Sequence, residues 1–169
     1  MHPLVVRPLR TLARVALAAL CTCTWAARAD VFADGDHVML QFGPYVYHRS
    51  KGADRNNVPL LVGAEWESAS RWEIGASYFD NSFHQPSTYV YAGRRWFLRS
   101  GDEGFYVKLT GGLLYGYKEP HEDAIPVNFN GVGPVLIPAM GYQYQRANAQ
   151  LVFLGTNGLM LTFGYDFWK

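Results

Sequence analysis

Leu159-Met160-Leu161-Thr162-Phe163-Gly164-Tyr165-Asp166-Phe167-Trp168 decides the fold. Leu159, Leu161, Phe163, Tyr165 and Phe167 alternate with Met160, Thr162, Gly164, Asp166 and Trp168. Alternate side chains of a strand face opposite sides. One face is therefore wholly apolar and aromatic, while the other mixes a hydroxyl, a glycine and a carboxylate. A strand of about ten residues with an apolar outside and a partly polar inside meets the requirement of a bilayer-spanning β-barrel.

The same alternation recurs upstream. Strands are expected near His37 to His48, Val58 to Ser68, Arg71 to Phe79, Tyr89 to Leu98, Phe105 to Tyr117, Val132 to Tyr144 and Ala147 to Leu154, with the quoted stretch as the eighth. Tight turns are expected around Ala69-Ser70 and over Ser100-Gly101-Asp102-Glu103-Gly104. They alternate with longer polar loops at 49–57, Asp80 to Thr88 and Lys118 to Gly131. Glu65, Glu67, Glu73, Ser77, Lys108, Thr110 and Asp166 fall on the less apolar parity, the expected interior. A soluble barrel of lipocalin type would turn its apolar residues inward instead. The pattern predicts an all-β protein, an eight-stranded antiparallel up-and-down transmembrane β-barrel. Eight strands leave an interior that side chains fill or one small ligand occupies, which excludes an aqueous porin.

Arg7, Arg10 and Arg14, an apolar run opening at Val15 to Leu20, and Ala27-Arg28-Ala29 predict a signal peptide over residues 1–29. The apolar run is shorter than the ~20 residues of a membrane anchor. Cys21 and Cys23 would leave with it, and Leu20 and Thr22 before them suit a lipoprotein signal poorly. The barrel domain, 30–169, is then free of cysteine, which excludes a disulfide, a thiol nucleophile or a thiolate metal site. Removing four arginines and no acid moves the formal charge from +1 to −3. Without a basic stripe, nucleic acid is not an expected partner. Export and a barrel together place the mature chain in the outer membrane of a Gram-negative bacterium.

Several polar residues could carry chemistry. His48 closes strand one at a loop mouth, and Asn81-Ser82 opens the loop after strand three. Acyl transfer needs a base to take a hydroxyl proton and polar groups to stabilise an oxyanion. Asn and Ser also favour turns in their own right. Pro44, Pro59, Pro134 and Pro138 fall inside expected strands, where each removes a ladder donor that lipid cannot replace. Such positions leave a gap in the wall, or else they sit at the rims. Arg94-Arg95 could hold a phosphate at a mouth or snorkel at an interface. His84 and Gln85 read as loop surface. His121-Glu122-Asp123 lacks the spacing of a closed metal site; neither a metal nor another cofactor is expected.

Tyr47-His48-Arg49, the Asn56-Asn57-Val58-Pro59 run into strand two, Phe79-Asp80-Asn81-Ser82-Phe83, Pro134-Val135-Leu136-Ile137-Pro138 and Gly155-Thr156-Asn157-Gly158 resemble, in order, segments of the lipid A palmitoyltransferase (PagP) barrels. The likeness spans most of the mature chain as short islands. It implies an outer-membrane enzyme that moves an acyl chain from a membrane phospholipid to lipid A, or a related acceptor, at the outer leaflet. It implies His48, Asn81 and Ser82 as catalytic residues, lateral lipid access at Pro44 with Pro59 and at Pro134 with Pro138, and an acyl-chain floor at Gly93. Thr162, Gly164 and Phe167 look like the C-terminal signal read by the outer-membrane assembly machinery during biogenesis, although the chain ends on Lys169.

Two positions depart from that family. Its aspartate is Asn81 here, and an amide can orient an imidazole but cannot stabilise imidazolium. The equivalent change in a serine protease costs roughly 10⁴ in rate. Residues 30–36 are also too few for the amphipathic helix that precedes the barrel in that family. The alternative expectation is a non-catalytic small barrel for envelope integrity, lipid binding or adhesion; a lateral conduit for a small hydrophobic compound is a third. Approach of His48 to Ser82 or Asn81 within hydrogen-bond reach separates the enzyme from the others.

Overall fold

A computed structural model describes residues 33–49, 55–156 and 158–168. The expected signal peptide and its cleavage site lie outside these residues, as do 50–54, 157 and 169. Eight antiparallel strands follow one another in sequence order: β1 (His37–His48), β2 (Leu61–Glu67), β3 (Trp72–Asp80), β4 (Pro86–Phe97), β5 (Gly104–Tyr115), β6 (Val132–Tyr144), β7 (Ala147–Phe153) and β8 (Gly158–Trp168). Pairing of β1 with β8 closes the barrel. The connections 68–71, 98–103 and 145–146 are short and share one end. Those at 49–60, 81–85, 116–131 and 154–157 form the loop end. A 3-10 turn, Glu122–Ala124, lies in the longest of them. No helix among the described residues is long and apolar enough to cross a membrane.

Two boundaries shift by three residues from the sequence reading, both at prolines, and the others shift less. β4 begins at Pro86, not Tyr89; Pro86 takes the first strand position opposite Asp80, where a missing donor does little harm. β2 begins at Leu61, so Pro59 precedes the strand and does not interrupt it. Leu60 between them adopts φ +46°, which turns the chain into the ladder.

The expected interior set is all buried: Glu65, Glu67, Glu73, Ser77, Lys108, Thr110 and Asp166. Trp168, assigned to the same parity in β8, is exposed at the strand end. Charge in the short-turn half is held by pairing. Arg95 Nη2 meets Glu65 Oε1 at 3.2 Å and Arg95 Nε meets Glu67 Oε2 at 3.0 Å. Lys108 Nζ bridges Glu65 and, at 3.1 Å, Glu73. The Tyr91 hydroxyl and the Gln41 amide donate to Glu65 at 2.8 and 3.1 Å. Arg95 is thus an interior residue and not a phosphate ligand at the mouth. Arg94 faces outward at the short-turn end, over the rings of Trp72 and Trp96.

The outward parity sorts by height. Trp72, Trp96, Phe105, Tyr142, Tyr165 and Phe167 ring the short-turn end. Aliphatic side chains such as Ile74, Val90, Leu109 and Leu136 occupy the middle, the last 75% exposed. Tyr45, Tyr78 and Tyr115 stand toward the loop end.

Candidate active site at the loop end

His48 ends β1, and its ring is held on both nitrogens. Nε2 lies 2.7 Å from Ser82 Oγ, and Nδ1 lies 2.8 Å from Asn57 Oδ1. The Asn57 carbonyl oxygen accepts the Nδ1 proton, which leaves Nε2 bare to accept from the Ser82 hydroxyl. Ser82 is half-buried and Asn57 exposed. A hydroxyl, an imidazole and an orienting amide in line are the arrangement of an activated serine nucleophile.

Backbone contacts put these three side chains together. Val46 N–H donates to Asn57 O at 2.9 Å, which draws the returning loop alongside β1 just below His48. Asn56 N–H donates to Ser82 O at 3.0 Å, and the buried Asn56 amide donates to Asn81 O at 3.3 Å. The loop carrying Asn57 is thereby stapled to the loop carrying Ser82.

Asn81 belongs to the scaffold of this site and makes no bond to the imidazole. It is 2% exposed. Its Oδ1 accepts from Phe83 N–H at 2.8 Å and Gln85 N–H at 3.1 Å, the side-chain turn that Asn favours. Its Nδ2 donates to Gly116 O at 3.4 Å. The position matched to the family's aspartate thus holds the loop, while Asn57 fills the place beside the imidazole. Asp80 ends β3 on the outward parity and makes no bond to His48. Gln85 is more than loop surface, since its side chain joins Asn81 to Lys118 N–H and Lys118 O. His84 is exposed. His121 stacks on Phe83 at 3.7 Å and joins no cluster of metal-ligating side chains among the described residues.

Below Ser82 a cavity of about 820 Å³, a volume that includes open solvent at its mouth, runs into the barrel. Its walls are apolar, with Val46, Leu61, Phe79, Leu114, Val152 and Met160. Asn56, Asn81 and Tyr117 share the mouth with Ser82, and Gln41, Tyr91 and Lys108 lie at the bottom. Burial pushes the Tyr117 phenol up, while its hydrogen bond with Ser82 and the charge of Arg55 act the other way. Gly93 faces inward one step beyond Tyr91, opposite Glu73 and Thr110, and does not line the cavity. Tyr91, whose hydroxyl donates to Glu65, lines the deep part together with Gln41, Thr110 and Lys108, and Gly93 is not among the lining residues.

The prolines mark breaks in the wall. The β1–β2 ladder ends at Gly43↔Leu61, so Pro44 and Pro59 flank an unpaired stretch below the Val46–Asn57 bond. A register shift between Phe42 and Tyr45 adds a bulge on the β8 side. The β6–β7 ladder begins only at Ala139, so the part of β6 carrying Pro134 and Pro138 has no β7 partner, although its pairing with β5 is continuous.

Asn57, Tyr117 and Arg55 at this mouth were not singled out as site residues from sequence. The signal for Asn57 was an amide two residues before a proline in the loop that must return beside His48. No protein-family model and no curated protein matches the chain.

Proposed function

We propose that this protein is an outer-membrane acyltransferase that moves an acyl chain from a phospholipid to lipid A, or a related hydroxyl acceptor, at the outer leaflet. The observation that carries this reading is the 2.7 Å contact between His48 Nε2 and Ser82 Oγ at the mouth of an apolar cavity. The outer surface supports the membrane setting. Aromatic rings at two heights flank an aliphatic belt, and strand charge is kept inside except at the rims, where Arg94 and Asp80 take the outward parity. That is the distribution a lipid-facing barrel requires and a soluble one avoids.

In the proposed reaction Ser82 Oγ attacks the ester carbonyl of a donor whose chain lies in the cavity, and its proton passes to His48 Nε2. The ester C–O bond breaks, the lysophospholipid oxygen takes that proton, and the acyl group is left on Ser82. The acceptor hydroxyl then gives its proton to His48 and attacks the acyl-serine, and Ser82 Oγ leaves and recovers the proton. Asn57 keeps the imidazole in the tautomer that both half-reactions need. Tyr117 lines the mouth beside Ser82, where its phenol is a side-chain donor available to the developing oxyanion. The unpaired stretches at Pro44 with Pro59 and at Pro134 with Pro138 give acyl chains lateral passage between membrane and cavity.

One observation favours the second reading, a barrel that binds lipid without turnover: an exposed amide, and not a carboxylate, orients His48. An acyl-transfer assay on the refolded barrel decides, with a phospholipid donor and lipid A and water as competing acceptors. Product that disappears in His48→Ala supports the acyltransferase, and the favoured acceptor separates transferase from lipase. No product from wild-type barrel that still binds donor lipid would establish the binding barrel instead.

A further inference from the structure

Arg55 differs from the arginines that the barrel neutralises. Arg95 is surrounded by glutamates, and Arg71 pairs with Glu67 and Asp102. Arg55 is half-buried, makes no ion pair among the described residues, and lies over the Phe83 ring, 5.2 Å from its centroid. Its position relative to Ser82 is fixed by the backbone, because the next residue, Asn56, donates its N–H to Ser82 O at 3.0 Å. Arg55 also lies near enough to Tyr117, which shares the mouth with Ser82, for its charge to act there. It does not line the cavity, so it stands at the rim outside the space an acyl chain would fill.

A glycerophospholipid has a definite geometry here. With its acyl chain in the cavity and the ester carbonyl at Ser82, its phosphate is only a glycerol unit away and must lie just outside the mouth. A planar guanidinium with five donors and no carboxylate partner among the described residues suits a phosphate oxygen pair in the bidentate manner. The cation–π contact with Phe83 restrains the side chain in advance, which lowers the ordering cost of binding.

We infer that Arg55 is the phosphate anchor of a glycerophospholipid donor whose scissile ester sits at Ser82. This inference rests on the acyl-transfer reading, and it is tested without turnover. The refolded barrel and its Arg55→Ala and Arg55→Lys variants are titrated with a non-cleavable diether phosphatidylglycerol, with the matching dialkylglycerol that lacks phosphate, and with lipid A before and after dephosphorylation. Arg55→Ala is expected to weaken the diether phosphatidylglycerol by about tenfold or more, as loss of a charge-assisted contact should. Dialkylglycerol and both forms of lipid A should be unaffected, and Arg55→Lys should fall between. Unchanged phosphatidylglycerol affinity overturns the inference, as does an equal loss for dialkylglycerol. A loss confined to phosphorylated lipid A also overturns it, by assigning Arg55 to the acceptor. The expected binding pattern in a protein with no transfer activity would sink the acyltransferase reading and leave the phosphate site standing.

Discussion

Two asparagine-to-aspartate changes at this mouth should move activity in opposite directions. Asn57 Oδ1 accepts the His48 Nδ1 proton at 2.8 Å in an exposed position. Asn57→Asp preserves the acceptor and the tautomer and adds a negative charge beside an imidazole that becomes positive in the transition state. Two charges about 4 Å apart interact by about 1 kcal/mol in a water-like setting, and exposure argues against taking more. The expected gain in kcat is therefore about fivefold. Asn57→Ala removes a neutral hydrogen bond of about 1 kcal/mol and frees the ring to change tautomer, for a loss of at least about fivefold. Asn81→Asp has none of this benefit. The new carboxylate would be buried, would lose the amide donors, and would set an oxygen against Gly116 O and Gln85 Oε1. A cost of about 2 kcal/mol or more should appear as faster hydrogen exchange across 81–85, with kcat lowered. Steady-state transfer kinetics on all three variants, with exchange measured beside them, checks the pair. An Asn81→Asp barrel more active than wild type, with Asn57→Asp unchanged or slower, would refute this geometry.

Chain-length selectivity should follow Tyr91 and not Gly93. Tyr91→Leu is expected to shift preference among donors toward longer chains. Gly93→Ala should lower stability without that shift, because its Cβ would meet Leu109 O at 2.5 Å. Cysteines placed at Pro44 and Leu60, opposite one another if the β1–β2 register continued, should close the lateral gap when oxidised. Turnover should then fall at least about tenfold and return on reduction; unchanged turnover in the cross-linked form would remove this route. Lys108→Met takes from Glu65 and Glu73 the nearer of the two cations they share, leaving Arg95. It should destabilise the barrel by about 3 kcal/mol or more in denaturant unfolding from detergent, and a smaller loss would mean that Arg95 alone balances the cluster.

The strands were legible because a two-residue period is local. Glu65, Glu73, Lys108 and Asp166 declare the inside of the barrel wherever apolar neighbours declare the outside. The errors fell where local pattern and hydrogen bonding disagree. Pro86 reads as loop chemistry yet starts a strand, where its missing donor is harmless. Arg95 reads as a mouth or interface residue until three glutamates from β2 and β3 are seen around it. The site divides in the same way. His48 and Ser82 stand at strand and loop ends, and the strand order β1-β2-β3 with the loop bonds between them brings them to 2.7 Å. Asn57 depends on how a long loop returns, through the Val46–Asn57 and Asn56–Ser82 backbone bonds, and no periodicity reports that. Asn81 looked catalytic by its alignment with an aspartate and is a turn former by its contacts. Gly93 lies inside as alignment suggested, but the side chains of its neighbours, Tyr91 and Thr110 among them, line the cavity in its place.

The central claim is that His48 activates Ser82 at the head of an acyl cavity. A long-chain alkyl fluorophosphonate tests it most directly, because it requires a reactive serine and an apolar pocket at once. Incubation with the refolded barrel, followed by peptide mass analysis, should find the phosphonyl group on Ser82. Labelling should be slowed by about a hundredfold or more in His48→Ala, within the range for loss of general-base catalysis, and should be far weaker with a short-chain reagent. A barrel that stays unlabelled, or that labels equally well without the imidazole, would contradict the account.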